Sequence, residues 1–139
     1  MLNRRKYPRM PILKDIAKEV YISTDTGFFP GIIMNLSSGG MMLMLYCDLA
    51  VNTEVCLVFD FPGLETSQIF GKIVRVVKRA VIWETAIQFT EISEHDEKLL
   101  NKLANDYIDC ENKITLGAVD VCTKSCSYYG LCEKRFKIK

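Results

Sequence analysis

A chain of 139 residues that is 49% hydrophobic and 25% charged has the size and composition of one globular domain able to bury a genuine core, which excludes a low-complexity polypeptide. No apolar run approaches the roughly 20 residues of a membrane-spanning helix, and the polar, basic start lacks the apolar stretch of a secretory leader, so a cytoplasmic protein is expected. The net charge of +1 conceals two basic ends around an acidic body: residues 1–18 carry +5, residues 121–139 carry +4 and residues 19–120 carry −8. Such ends can attract an anionic ligand, nucleic acid or an anionic membrane surface, or can simply be solvated.

In chain order, the opening MLNRRKYPRMP reads as a basic loop or extended arm, because Pro8 and Pro11 hold the residues before them extended. Short β-prone segments follow near 17–23, 29–35, 40–47, 53–61, 68–78 and 81–90, the spacing of an all-β barrel or sandwich. The clearest is 53–61, TEVCLVFDF. There Val55, Leu57, Phe59 and Phe61 share one face while Glu54, Cys56, Val58 and Asp60 take the other, the alternation of a half-buried antiparallel strand. The run Gly40–Tyr46 is apolar on both sides, so its period does not orient it. Turn formers punctuate the segments at Asp25-Thr26-Gly27, Ser37-Ser38-Gly39-Gly40, Pro62-Gly63 and, more weakly, Lys78-Arg79-Ala80.

After the last strand the period changes. Ser93 is placed to cap a helix, with Asp96 at the N3 position of a capping-box-like arrangement and Glu94 and Glu97 at the positive helix end. Leu99, Leu100, Leu103 and Tyr107 fall at helical spacing and form one stripe to pack against the barrel. The expected helix spans 93–109. Residues 110–139 show no clear period and read as a short appended module.

Six cysteines without a sign of export do not argue for a disulfide framework. Cys47 and Cys56 lie in apolar segments and read as buried small hydrophobes. Cys110, Cys122, Cys126 and Cys132 run as C-x11-C-x3-C-x5-C, and four thiolates suit tetrahedral zinc or an iron–sulfur cluster. The spacing lacks the paired CxxC of a zinc ribbon, and reduced thiols on an extension are the plainer alternative.

Two motifs carry the functional reading. Arg5-Lys6-Tyr7-Pro8-Arg9, preceded by Arg4, is an RxxxR element, and Asn35-Leu36-Ser37-Ser38-Gly39-Gly40 fits [D/N]xSxxG at Asn35, Ser37 and Gly40. In this order, and followed by Gly71-Lys72-Ile73-Val74-Arg75-Val76 and Glu84-Thr85-Ala86-Ile87-Gln88-Phe89, they resemble the two-part signature and late strands of PilZ domains over roughly residues 3–109. The resemblance implies a mainly β fold: a six-stranded antiparallel PilZ-type β-barrel with a C-terminal helix. The domain would span 1–109, with a basic arm at 1–16, the barrel at 17–91 and the helix at 93–109. The short Cys-rich tail, 110–139, is not usual in the family.

The resemblance further implies a non-enzymatic receptor of bacterial second-messenger signalling that binds cyclic di-GMP and acts on a downstream protein partner. Arg5 and Arg9, with Arg4, would clasp the ligand from the arm, which would order on binding, while Asn35, Ser37 and Gly40 would form the rigid part of the site. The chemistry is consistent with such a ligand, which presents two guanines and two phosphodiesters. Arginine pairs bidentately with guanine O6 and N7 and stacks on purine faces. Asn35 offers a donor and an acceptor to a base edge, Ser37 a hydroxyl, and Gly40 backbone open to close approach. The family often has Asp where this chain has Asn35, which keeps the acceptor and removes the charge.

Two other classes of function compete. Arg4–Arg9 with Tyr7, and Tyr128, Tyr129, Lys134 and Arg135 in the tail, mix basic and aromatic groups as single-strand nucleic-acid binders do. The acidic body would repel a long polyanion, whereas a compact dinucleotide meets only the arm. The other alternative is a ligand-free protein-interaction adaptor. Enzyme chemistry has little support: His95 is the only histidine, and no nucleophile motif accompanies it.

Overall fold

Alternation sets the strands. The computed structural model describes residues 19–61 and 64–117. It contains β1 (Glu19–Thr24), β2 (Gly27–Leu36), β3 (Gly40–Leu45), β4 (Glu54–Leu57), β5 (Asp60–Phe61), β6 (Leu64–Glu65), β7 (Ile69–Arg79), β8 (Ile82–Glu91) and one helix, α1 (Glu94–Thr115). Six strands close into an antiparallel barrel in the order β1-β2-β3-β8-β7-β4. Closure removes the open edges that a small sheet would otherwise expose.

Register resolves the segment that its own pattern left unoriented. In β3, Met41, Leu43 and Leu45 are buried and enter the core, so Met42 and Met44 face outward, half-buried. Val20, Ile22, Ile33, Val55, Leu57, Ile73 and Ile87 complete the barrel interior. Irregularities of pairing at Ile33/Asn35 and at Ile73/Arg75 restore the alternation after an extra residue, as β-bulges do.

The expected strand 53–61 is shorter than its pattern. β4 ends at Leu57, and β5 and β6 form a separate two-stranded hairpin. The Phe59 N–H donates to Thr66 Oγ1 at 3.0 Å, and the Thr66 N–H returns a bond to the Phe59 carbonyl at 3.0 Å. These bonds draw the chain out of the barrel ladder, although Phe59 stays fully buried. Cys47 and Cys56 are half-buried rather than buried. Cys56 lies on the outer face of β4, and burial, with Asp48 beside it, raises the pKa of the Cys47 thiol.

The antiparallel order places six strand ends together: the starts of β1, β3 and β7 and the ends of β2, β4 and β8. α1 follows β8 directly at this end and closes it, burying Leu100, Leu103 and Ala104 against Leu36, Phe59, Leu64 and Ile69 in one core. The stripe is the expected one, with Leu99 and Tyr107 partly buried at its margins. The helix runs on to Thr115, past the expected end at 109, so Cys110 belongs to it rather than to a separate tail. No described helix is long and apolar enough to cross a membrane.

Ser93 caps α1 as expected, its Oγ accepting from the Asp96 N–H at 3.1 Å. Asp96 does not close a capping box. Its carboxylate is buried and instead accepts from the N–H of Ser67 at 3.1 Å and from the Ser67 hydroxyl. The helix start is thereby tied to the chain just before β7. Asp96→Ala removes the buried, charged acceptor of both bonds, so the urea midpoint should fall by an amount equivalent to about 1–3 kcal/mol. Ser67→Ala, which removes only one of the bonds, should cost less; equal losses would contradict this account.

Candidate functional site

The NLSSGG motif forms the end of β2, a three-residue loop and the start of β3. Its geometry is set within the motif. The Ser37 N–H donates to the Gly40 carbonyl at 2.9 Å, the Ser37 hydroxyl donates to the same carbonyl at 3.3 Å, and the Gly39 N–H donates to Ser37 Oγ at 3.2 Å. Ser37 is buried, and its hydroxyl shapes the loop from inside. The loop is also fastened to its surroundings. The Phe89 N–H donates to the Gly39 carbonyl at 2.9 Å, and Ser38 Oγ donates to Asn101 Oδ1 of α1 at 2.7 Å.

Gly40 has a packing reason as well as an open face. A Cβ built there would collide with the carbonyl oxygen of Ile87 and lie 3.2 Å from its carbonyl carbon and 3.3 Å from Gln88 Cα. β3 and β8 therefore approach at a distance that only glycine permits. Gly71 is close to the same segment from the other side, 2.7 Å from the Gln88 carbonyl oxygen to its virtual Cβ.

Asn35 faces outward, half-buried, and makes no side-chain hydrogen bond to another described residue. Across the strands it stands in a row with Met42, Ala86 and Arg75. Gly40, Gln88, Lys72 and Glu54 form the parallel row beside it. The outer face next to the motif thus presents the Asn35 amide and Met42, with Ala86 and Gln88 following on β8. Arg75 and Lys72 stand on β7, which lies three strands from β2 in either direction around the closed barrel, so Arg75 faces away from Asn35. Gln88 was not singled out from sequence. The signal was in its period-2 outward position, but it needed the pairing of β3 with β8 to place it beside Gly40.

Arg4, Arg5 and Arg9 lie outside the described residues. What the structure places is the point where their segment joins the barrel. Glu19, the first residue of β1, pairs with Ile32, three positions before Asn35 on the adjacent strand. Nine residues lie between Arg9 and Glu19, so the two are at most about 33 Å apart when the chain is extended. The arm is therefore connected at the same barrel end as the motif loop.

Other chemistry-bearing residues are elsewhere. His95 is exposed on the first turn of α1. Cys110 is half-buried on the helix, whereas Cys122, Cys126 and Cys132 lie outside the described residues. Among the described residues no group of three or more His, Cys, Asp or Glu is arranged to hold a metal ion. Two grooves flank the seam where β1 meets β4, near Tyr21, Phe28 and Val58 on one side and Asn52 and Phe70 on the other. Neither contains a motif residue.

Comparison with known proteins places this architecture. The PilZ domain matches residues 3–106. No curated protein is a match. Among solved structures, the inhibitor of motility MotI/DgrA of Bacillus subtilis superposes with a TM-score of 0.63 at 17% identity, over 84% of this chain and 55% of that one. The MrkH–c-di-GMP complex of K. pneumonia gives 0.60 at 19% identity, over 82% and 56% of the two chains. The PilZ domain of Escherichia coli YcgR with c-di-GMP gives 0.56 at 15% identity, over 84% of this chain and all of that one. The chain thus spans little more than half the length of the first two. At these identities the superpositions speak for the fold, and the domain match over most of the sequence speaks for descent: the chain belongs to the PilZ domain family.

Proposed function

We propose that this chain is a receptor for cyclic di-GMP, a binding protein rather than an enzyme, whose arm and barrel wall enclose the ligand together. The observation that supports the reading is that β1, which the arm precedes in the chain, starts at the barrel end where the NLSSGG loop lies. The segment bearing Arg4, Arg5 and Arg9 joins the barrel beside the end of β2 that presents Asn35, with Ser37 and Gly40 in the adjoining loop. Two of the solved relatives hold c-di-GMP on the same fold.

Roles follow from the chemistry of the arm residues and, on the barrel, from the bonding of the loop. Arg5 and Arg9 supply the guanidinium forks for guanine or phosphate, with Arg4 adding charge. Asn35 offers an amide, unengaged by the other described residues, to a base edge. Ser37 acts chiefly by holding the loop, since its hydroxyl already donates to the Gly40 carbonyl. Gly40 lets the loop sit close against β8. Order in the arm would be gained with the ligand and passed to a downstream protein partner. The cytoplasm is the compartment in which such a messenger would be met.

Isothermal titration of the full chain with cyclic di-GMP tests the reading, repeated at two salt concentrations and against an unrelated oligonucleotide. Saturable binding that persists at the higher salt and prefers the cyclic dinucleotide is the expected result. Binding that falls steeply with salt and does not discriminate between bases would instead indicate nucleic acid. Absence of heat with either titrant would leave the adaptor role.

A further inference from the structure

We infer that Ser38 and Asn101 are positioning residues that make α1 the element which reads the state of the motif loop. The ligand part of the inference rests on the cyclic di-GMP reading; the coupling of loop to helix does not. Three consecutive loop residues divide the work. Ser37 shapes the loop from within, Gly39 accepts from Phe89 and ties it to β8, and Ser38 ties it to the helix. The Ser38 side chain is buried, and its 2.7 Å bond joins residues 63 apart in sequence. Neither Ser38 nor Asn101 occupies a defining position of the [D/N]xSxxG pattern, so ligand contact does not account for this bond.

The placement of Asn101 gives the bond its consequence. It lies beside Leu100 and one turn before Ala104, within the part of α1 that packs on the barrel. Beyond Ala104, no α1 side chain described is buried. Tyr107 still packs at the margin of the core, and the helix continues through Thr115, about 16 Å beyond Ala104 at the helical rise. A shift of the loop that moves Asn101 is therefore carried outward along the helix, to a surface distant from the ligand. Linkage makes the effect reciprocal: whatever moves α1 alters ligand affinity by the factor with which the ligand moves α1.

Amide hydrogen exchange on the full chain without ligand tests the coupling first. In Asn101→Ala, exchange at the Ser37 and Gly39 amides should accelerate about fivefold or more relative to the Ile73 amide, which is bonded to Thr53 between β7 and β4, strands that pair with neither β2 nor β3. A merely destabilising substitution would accelerate all three together. Asn101→Asp retains an acceptor for the Ser38 hydroxyl and should restore the wild-type ratio. An unchanged ratio in Asn101→Ala overturns the inference. With cyclic di-GMP, the wild-type α1 amides should change their exchange and Asn101→Ala should bind several-fold more weakly. Wild-type binding with no change in α1 also overturns the readout role. A wild-type chain that fails to bind at all overturns the proposed function and the readout with it, while the ligand-free ratio still decides whether loop and helix are coupled.

Discussion

A Gly40→Ala protein is expected to lose about 1–3 kcal/mol of folding stability, read as a lower urea midpoint. The added methyl has nowhere to go, because the nearest atoms are the backbone of Ile87 and Gln88 on the neighbouring strand. Relief requires moving β3 away from β8, which breaks a ladder that runs from Gly40↔Gln88 to Leu45↔Trp83. Gly31→Ala is the informative control. Its Cβ would meet Leu45 Cδ2 at 2.8 Å and Leu43 Cδ1 at 3.2 Å, both ends of side chains that can rotate, so its loss should be smaller. Comparable midpoints for the two variants would show that the close approach of β3 and β8 is not as described. Because Gly40 also anchors both hydrogen bonds from Ser37, the variant that remains folded should bind cyclic di-GMP more weakly.

The largest loss of affinity is expected from the arm. Arg5→Ala and Arg9→Ala should each weaken cyclic di-GMP binding by about ten- to a hundredfold, the range of one bidentate guanine contact. Arg→Lys at either position should recover little, since an ammonium lacks the planar fork. Arg5 and Arg9 lie outside the described residues that build the barrel core, and the urea midpoint is expected to stay within about 0.5 kcal/mol of wild type. The two measurements together separate a ligand contact from a folding defect. Calorimetry that finds both alanine variants at wild-type affinity would remove the arm from the site and leave Asn35 as the polar group to examine.

Much of the fold was legible in the residue pattern because inward and outward positions are a local property. The alternation at 53–61 correctly put Val55, Leu57 and Phe59 inside, and Ser93 with the Leu99–Tyr107 stripe located the helix. The pattern overran where a hydrogen bond from a distant residue intervened. Thr66 captures Phe59 and ends β4 early, and Ser67 draws the Asp96 carboxylate away from the capping role its position suggests. The helix continued past 109 because the segment through Cys110 and Thr115 keeps the chain in helical geometry even though the apolar stripe has ended.

The sequence by itself determined the family, the number of barrel strands, the helix cap and the identity of the motif residues, since each depends on residue type at short spacing. The tertiary structure decided what those residues do to one another. Ser37 turns its hydroxyl into the loop, Gly40 is required by the backbone of β8, Asn35 stands beside Met42 on the outer face, and Ser38 holds Asn101. These relations join positions up to 63 residues apart, and no local pattern encodes them, because they come into being only when strand register and barrel closure bring distant backbone into contact.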